Sequence, residues 1–339
     1  MVADTVRRGS AADGLQPLNL ARHWRQVLTL IEVAFGEDLD VEARRALNSM
    51  RLPPLLAPLI GLLDSLAPPG EGMMPGFVWL EGGRVVGTAS ARRVQALNRG
   101  WLISNVAVHP DWQGRGIGRV LLEAAVDYAE DYGGRWVVLQ VRGGNTVARR
   151  LYESVGFKKV GEMVRLHKTE IEKQAGVLRP AGLRPAGWSE GSALSRLART
   201  LTRHDVLWAD VLKRELYQTG PLSHLTARLK GQRRQWWVQE KRRSGGSIQW
   251  EGSGLEAAVG IEVDRRNPWH RLRLLIAPQA QDEQLAAKLI GFGLRQLADA
   301  PPLPVEIEHP RDDKATQAAL VEAGFDQVYS LMHMRLDLE

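Results

Sequence analysis

The run Gln113-Gly114-Arg115-Gly116-Ile117-Gly118-Arg119 puts three glycines and two arginines into seven positions. Glycines allow successive backbone N–H groups to crowd around an anion. Arginine adds a charged fork suited to phosphate oxygens. Directly after it, Ile117, Val120, Leu121, Ala124, Ala125 and Tyr128 recur at helical spacing. The run therefore opens an amphipathic helix, with the positive end of the helix dipole behind the glycines. The chemistry implied is the holding of a phosphate-bearing ligand. The plain alternative is a tight strand-to-helix turn.

Spacing excludes two common phosphate binders. A Walker A loop needs Gly-x4-Gly-Lys followed by Ser or Thr, and none occurs. A dinucleotide fingerprint needs Gly-x-Gly-x-x-Gly. After Gly114 and Gly116 the required place holds Arg119, and the loop follows a late strand.

Other chemistries fall on composition. The chain has 339 residues and no cysteine, which removes disulfide frameworks, cysteine-ligated metals and any cysteinyl acyl-enzyme. The eight histidines are scattered without a His-x3-His pair, so no metal is expected. There is no Gly-x-Ser-x-Gly elbow. A net charge of +6 is mild over this length and selects no class of anion by itself. Leu52–Leu66, the most apolar stretch, is broken by Pro53, Pro54 and Pro58, so no membrane span is expected and a soluble cytoplasmic protein is.

The elements that must position the glycine run follow from periodicity. A short strand near Leu15–Leu20 precedes a helix from about His23 to Phe35 and a helical stretch through Val41–Leu66. Phe77–Leu80 and Arg84–Arg92 read as a hairpin around Glu81-Gly82-Gly83. Trp101–Val108 reads as a buried strand leading into the glycine run, and Gly133-Gly134 ends the helix that follows. Trp136–Val141 is strand, Thr146–Ser154 a short helix closed by Gly156, and strands return to about Lys168. This order predicts an α/β or α+β layer fold, its sheet mixed and mostly antiparallel and flanked by helices.

The order is written twice. Shifting the chain by 168 positions puts Gly14-Leu15-Gln16-Pro17 on Gly182-Leu183-Arg184-Pro185, Pro110 on Pro278, and Gly156-Phe157 on Gly324-Phe325. Two copies of one domain are expected, 1–172 and 177–339.

Gln113, Gly116 and Gly118 in Gln-x-x-Gly-x-Gly resemble the coenzyme A pyrophosphate loop of the GNAT superfamily of N-acetyltransferases. Asn145-x-x-Ala148-x-x-Leu151-Tyr152-x4-Gly156-Phe157 resembles that family's second signature. The resemblance covers about residues 13–170 and implies acetyl-CoA as cosubstrate, with no metal. It implies a bulged strand at Asn105-Val106-Ala107-Val108, whose free backbone groups at Val106 and Val108 pair with the pantetheine arm. It implies that N–H groups from Gly114, Arg115, Gly116, Ile117, Gly118 and Arg119 hold the pyrophosphate. Asn145 would bond the pantetheine chain, and Tyr152 would protonate the departing thiolate.

The glutamate base that part of the family carries falls on Leu102, with Ile103 beside it, so no base is assigned, and water is the expected proton carrier; Glu32, His23 and His109 are the other positions considered. The implied reaction is direct acetyl transfer from acetyl-CoA to a primary amine on a small molecule or a protein N-terminus. Val141-Arg142, Leu151-Tyr152-Glu153 and Gly156-Phe157 resemble the ribosomal-protein alanine N-acetyltransferases. Tandem members also include mycothiol synthases, where the second domain is the active one. The alternative is a non-catalytic acyl-CoA-binding regulatory module, with a monomer or homodimer expected either way.

The second copy departs from the pattern. At the repeat offset Gly114 and Arg115 become Asp282 and Glu283, Gly116 and Gly118 become Gln284 and Ala286, Asn145 becomes Asp313 and Tyr152 becomes Leu320. Two carboxylates stand where a pyrophosphate would sit, so this copy is expected to be a degenerate, structural or acceptor-shaping domain. It holds six of the eleven tryptophans: Trp188, Trp208, Trp236, Trp237, Trp250 and Trp269. A buried core is their expected home. Lys230, Arg233, Arg234, Lys241, Arg242 and Arg243 around Trp236-Trp237 fit a solvated hairpin face better than a nucleic-acid platform.

Overall fold

The computed structural model describes residues 13–36, 75–94, 99–171, 179–201, 214–229, 231–240, 254–264 and 267–338, with isolated positions between 39 and 72. The helical stretch expected over Val41–Leu66 falls almost wholly outside these residues, as do Trp208, Trp250, Lys230, Lys241, Arg242 and Arg243. Among the described residues there are seven α-helices, none long and apolar enough to cross a membrane.

The chain divides into two compact units. The first takes in Met1–Val141, Asn145–Lys159 and Met334–Glu339; the second takes in Arg142–Gly144 and Val160–His333. This division differs from a cut at 172–177: residues 160–172 go with the second unit and the last six with the first.

In the first unit, strands β1 (Gly14–Pro17), β2 (Gly76–Glu81), β3 (Arg84–Val94), β4 (Gly100–Val108) and β5 (Trp136–Arg142) lie in that order. Pairing is antiparallel from β1 to β4 and parallel between β4 and β5. The β2–β3 hairpin turns on Gly82 and Gly83, at φ of 55° and 74°, the left-handed pair that a two-residue turn matched to strand twist requires. Helix α1 (Leu20–Phe35) is capped by Asn19, whose side chain accepts from Arg22 N–H at 3.1 Å. Its stripe of Leu20, Trp24, Val27, Leu28 and Ile31 packs with Val78, Leu80 and Val85 of β2 and β3.

Helix α2 (Ile117–Asp131) buries Ile117, Leu121, Leu122 and Ala125. A β-carbon at Gly87 of β3 would stand 2.7 Å from the Leu121 side chain, so glycine there lets α2 lie close to the sheet. Helix α3 (Thr146–Val155) ends at Gly156, φ 105°. At the far side of β5, Leu338 N–H donates to Arg135 O at 2.9 Å, and the Arg335 guanidinium lies 5.1 Å from the Trp136 ring.

The second unit repeats the order. It contains most of β6 (Lys158–Lys168), then β7 (Leu183–Pro185), α4 (Gly191–Leu201), α5 (Pro221–Leu229), β8 (Gln232–Glu240), β9 (Leu255–Asp264) and β10 (His270–Ile276). Helix α6 (Glu283–Leu297), β11 (Val305–Pro310), α7 (Lys314–Glu322) and most of β12 (Asp326–Asp337) follow. Strands β7 to β11 lie in sequence order, antiparallel to β10 and parallel between β10 and β11. Strand β6 pairs antiparallel with β11, from Lys168 opposite Val305 to Met163 opposite Pro310.

One face of this sheet packs Val259, Ile261, Leu272 and Leu274 against Leu289, Ile290 and Phe292 of α6. Trp236, Trp237 and Trp269 are buried, as expected, and the Trp236 indole N–H donates to Leu216 O at 3.0 Å. Trp188 departs from that expectation and is exposed. With Trp236 and Trp237 buried and Arg234 held 3.4 Å from Glu262, neither ring offers the open π-face that nucleotide stacking uses.

Candidate functional site

The site begins with one extra residue. In the β3–β4 ladder Thr88 faces Ala107 while Ser90 faces Ser104, so two steps on β3 match three on β4. The surplus is a bulge at Asn105 and Val106. Asn105 takes it up at φ 54°, a left-handed conformation that asparagine enters more readily than most residues. Its Nδ2 donates to Ser90 Oγ at 3.4 Å.

On the other side, β4 pairs with β5 only from Gly100 to Leu102. Beyond Leu102 the two strands part, and a cleft of about 440 Å³ opens among Val106, Ala107, Val108, the glycine run and α3.

The glycine run borders this cleft. Gly114 and Gly116 sit at φ of 76° and 80°, with open space where a β-carbon would project. Gly116 is the N-cap of α2, and no side chain caps the helix there. The first N–H groups of a helix have no intrahelical partner, so this end is an exposed set of donors with the helix dipole behind it. Gln113 Nε2 donates to Val108 O at 3.0 Å, tying the loop to the end of β4.

Of the expected ligands, Val106, Ala107, Val108, Gln113, Gly114, Gly116, Ile117, Gly118, Arg119, Asn145 and Tyr152 all line the cleft. Arg115 does not appear in the lining; its guanidinium donates to Asp111 O at 3.2 Å. Arg119 pairs with Glu123 at 2.8 Å and reaches Ser154 Oγ at 3.4 Å. Asn145 Oδ1 caps α3 by accepting from Ala148 N–H at 2.9 Å.

Tyr152 is buried on α3, its ring 6.1 Å from Phe157. Burial pushes its hydroxyl pKa up to about 12, so it stays protonated across the physiological range.

Leu102 and Ile103 are both buried and apolar, as their sequence implied. His23 lies on the buried face of α1, its Nδ1 accepting from Asn19 N–H at 3.2 Å, and burial followed by the Arg22 charge lowers its pKa. His109 Nδ1 accepts from Asp111 N–H at 3.3 Å. Both imidazoles thus serve local backbone structure. Glu32 lies on α1 outside the cleft lining. Sequence reasoning missed Ala34, Phe35 and Trp112 as cleft walls. No local pattern signals that the last turn of α1 reaches β4.

The second unit keeps the frame, including a β10–β11 pairing that ends at Arg271, but lacks the bulge and the uncapped glycine helix start. The β9–β10 register runs unbroken from Arg271 opposite Glu262 to Ile276 opposite Ala257, so β10 has no bulge. Helix α6 is capped by Asp282, which accepts from Leu285 N–H at 2.9 Å, and Glu283 sits in its first turn. A carboxylate thus occupies the donors that an anion would need. Leu320 is fully buried, and the cavity bordered by β10 and β11 holds about 50 Å³. Asp313 caps α7 through Thr316 N–H at 3.0 Å and lies 2.8 Å from His309 Nε2. Burial pushes the Asp313 carboxyl up, but the hydrogen bonds from His309 and Thr316 outweigh it and hold it below the usual value.

The chain is similar to one family model, two curated proteins and one solved structure. Residues 54–157 match the Acetyltransferase (GNAT) family model. A stretch of 55 residues is 49% identical to [Ribosomal protein bS18]-alanine N-acetyltransferase of Salmonella typhimurium, covering 16% of this chain and 37% of that protein. A stretch of 52 residues is 52% identical to Mycothiol acetyltransferase of Nocardiopsis dassonvillei, covering 15% of this chain and 16% of that protein. The matches thus span well under half of either relative. The solved tandem GNAT protein from the clavulanic acid biosynthesis pathway shares the fold over 95% of this chain and 98% of its own, with a TM-score of 0.53 and 17% identity.

Two predictions arise. Asn105→Gly keeps the bulge and near-native stability, whereas Asn105→Val forces a β-branched residue to positive φ and costs about 1–3 kcal/mol in urea unfolding. Asp313→Asn destabilises by about 2 kcal/mol at neutral pH through loss of charged hydrogen bonds. Because the folded pKa is lowered, that stabilisation is present above the unfolded value and lost as pH falls through the folded one. The gap between wild type and variant in denaturant midpoint therefore closes in acid.

Proposed function

We propose that the chain, whose residues 54–157 match the Acetyltransferase (GNAT) family model, is an N-acetyltransferase. It takes acetyl-CoA into the first-unit cleft and passes the acetyl group directly to a primary amine of a small molecule or a protein N-terminus. The observation that carries this reading is the bulged, splayed β4 bordering the same cleft as an uncapped glycine-rich helix start and a buried, protonated tyrosine. The second domain is a degenerate copy that does not take coenzyme A.

Acetyl-CoA supplies an activated acetyl thioester. The N–H groups of the run from Gly114 to Arg119 hold its pyrophosphate, as the open positive-φ geometry of Gly114 and Gly116 favours. Val106 and Val108 offer backbone groups to the pantetheine arm. Asn145, whose Oδ1 is spent on the cap, offers Nδ2. Backbone donors of the splayed strand stabilise the carbonyl oxygen as it gains charge. Tyr152 Oη gives its proton to the thiolate as that leaves, and recovers one from solvent. The amine must shed a proton to attack. Leu102 and Ile103 provide no base, so water carries that proton to bulk solvent.

The likeness to an alanine N-acetyltransferase supports a protein N-terminal amine among the acceptors. The apolar pair at Leu102 and Ile103 favours one rival, an acyl-CoA-binding regulatory module without turnover.

Calorimetric titration with acetyl-CoA is expected to show one site per chain, abolished by Gly116→Glu, which sets a carboxylate among the donors. Two sites would overturn the degenerate reading of the second domain, and no binding would overturn the whole proposal. Tyr152→Phe is expected to bind acetyl-CoA as wild type does and to lower kcat roughly 100-fold in a thiol-release assay with an amine panel. Unchanged turnover removes the proton-donor role, and absence of turnover in the wild type across the panel favours the regulatory module.

A further inference from the structure

The second unit carries a groove that acetyl transfer does not use. It holds about 680 Å³ between one face of α4 and the chain from Tyr217 into the start of α5. Its frame is braced. Arg184 holds Glu190 through both carboxylate oxygens, at 2.9 and 2.8 Å, and Glu240 at 2.6 Å. Glu190 also accepts from Gly187 N–H, and the hydrogen bonds from Arg184 keep its carboxyl below the usual value. Thr219, itself buried, donates Oγ1 to Trp188 O at 3.0 Å.

On this fixed loop the Trp188 side chain stands 74% exposed at the groove, with Leu222 exposed across from it. Arg196 and Arg199, exposed and one helical turn apart on α4, line the same groove. Among the described residues no lining residue is acidic, and no carboxylate pairs with either arginine. The Ser195 and Ser223 hydroxyls already donate to the Gly191 and Gly220 carbonyls, at 2.9 and 2.6 Å.

We propose that this groove binds an acidic segment of a polypeptide partner. Its carboxylates meet Arg196 and Arg199, and an apolar side chain lies against Trp188 and Leu222. Charge complementarity selects the acidic chain: two arginines face outward and no carboxylate of the lining offsets them. The indole selects an apolar neighbour, because covering the exposed Trp188 and Leu222 removes apolar surface from water.

The test is fluorescence anisotropy of the full chain with a short labelled peptide of glutamates interrupted by leucines, beside the same peptide with glutamines. The acidic peptide is expected to bind, and to bind more weakly as salt rises. Arg196→Glu with Arg199→Glu is expected to weaken it by about tenfold or more, and Trp188→Ala by several-fold. All these positions are exposed, and an unchanged melting curve confirms that the variants fold. Equal binding of the glutamine peptide overturns the proposal, as do variants that bind like wild type. Displacement by inorganic phosphate at matched charge marks a simple anion site and overturns it too, and so does tighter binding of a single-stranded oligonucleotide. The readout needs neither acetyl-CoA nor turnover, so this proposal and the acetyltransferase reading can fail separately.

Discussion

Everything at the candidate site depends on a ladder that is broken on purpose in β4. A single surplus residue at Asn105 shifts the register with β3, and pairing with β5 stops at Leu102. A regular strand would spend its backbone donors and acceptors on both neighbours, since unpaired buried groups are costly. Parting the strands leaves those groups facing a cleft. Asparagine at φ 54° is one of few residues that can hold such a kink without a large steric cost. The glycine run, the approach of α2 over Gly87, and the cap at Asn145 then arrange donors and a phenol around that opening.

The two units form an internal control for this argument, because they share strand order and differ at the features that matter. In the first, α2 starts at a left-handed glycine with no capping side chain. In the second, Asp282 caps α6 and Glu283 follows it. The capped version is the better helix, since the carboxylate satisfies an orphan donor and complements the dipole. The uncapped one gives up that local stability and keeps its donors available. The same exchange recurs at the other motif: Asn145 and Asp313 both cap a helix, but Asp313 also engages His309 and carries a charge. Loss of the bulge in β10 goes together with a cavity of about 50 Å³ against about 440 Å³ in the first unit. The α/β scaffold therefore stands with or without such a cleft, because the core that holds it, with Leu272 and Leu289 among its members, is built apart from it.

Much of this was legible in the residues themselves. The repeat offset, the helical stripe after the glycine run, the Gly82-Gly83 hairpin and the capping role open to an asparagine before a helix all rest on local rules of spacing and conformation. So does the sign reversal at Asp282 and Glu283, which needs only the residue types at matched positions. Trp236 and Trp237 are neighbours in β8 and Trp269 stands just before β10, so their burial came from composition alone and not from a strand period, and the same composition misplaced the exposed Trp188.

What only the tertiary structure decided concerns partners distant along the chain. A period of two tells which face a strand buries but not which neighbour completes its ladder. Residues from Val160 in β6 therefore belong to the second unit, and Met334–Glu339 to the first, with nothing local to announce it. Ala34 and Phe35 border the cleft, Gln113 spends its amide on Val108 O, and Arg115 turns to Asp111 O, each through a contact set by packing. The sequence determined the glycine-rich helix start of the first unit and the acidic cap at the matched place in the second, because both are written in contiguous residues. The structure decided the cleft, because it needs a bulged strand, its parting from β5 and the end of α1 to meet in one place.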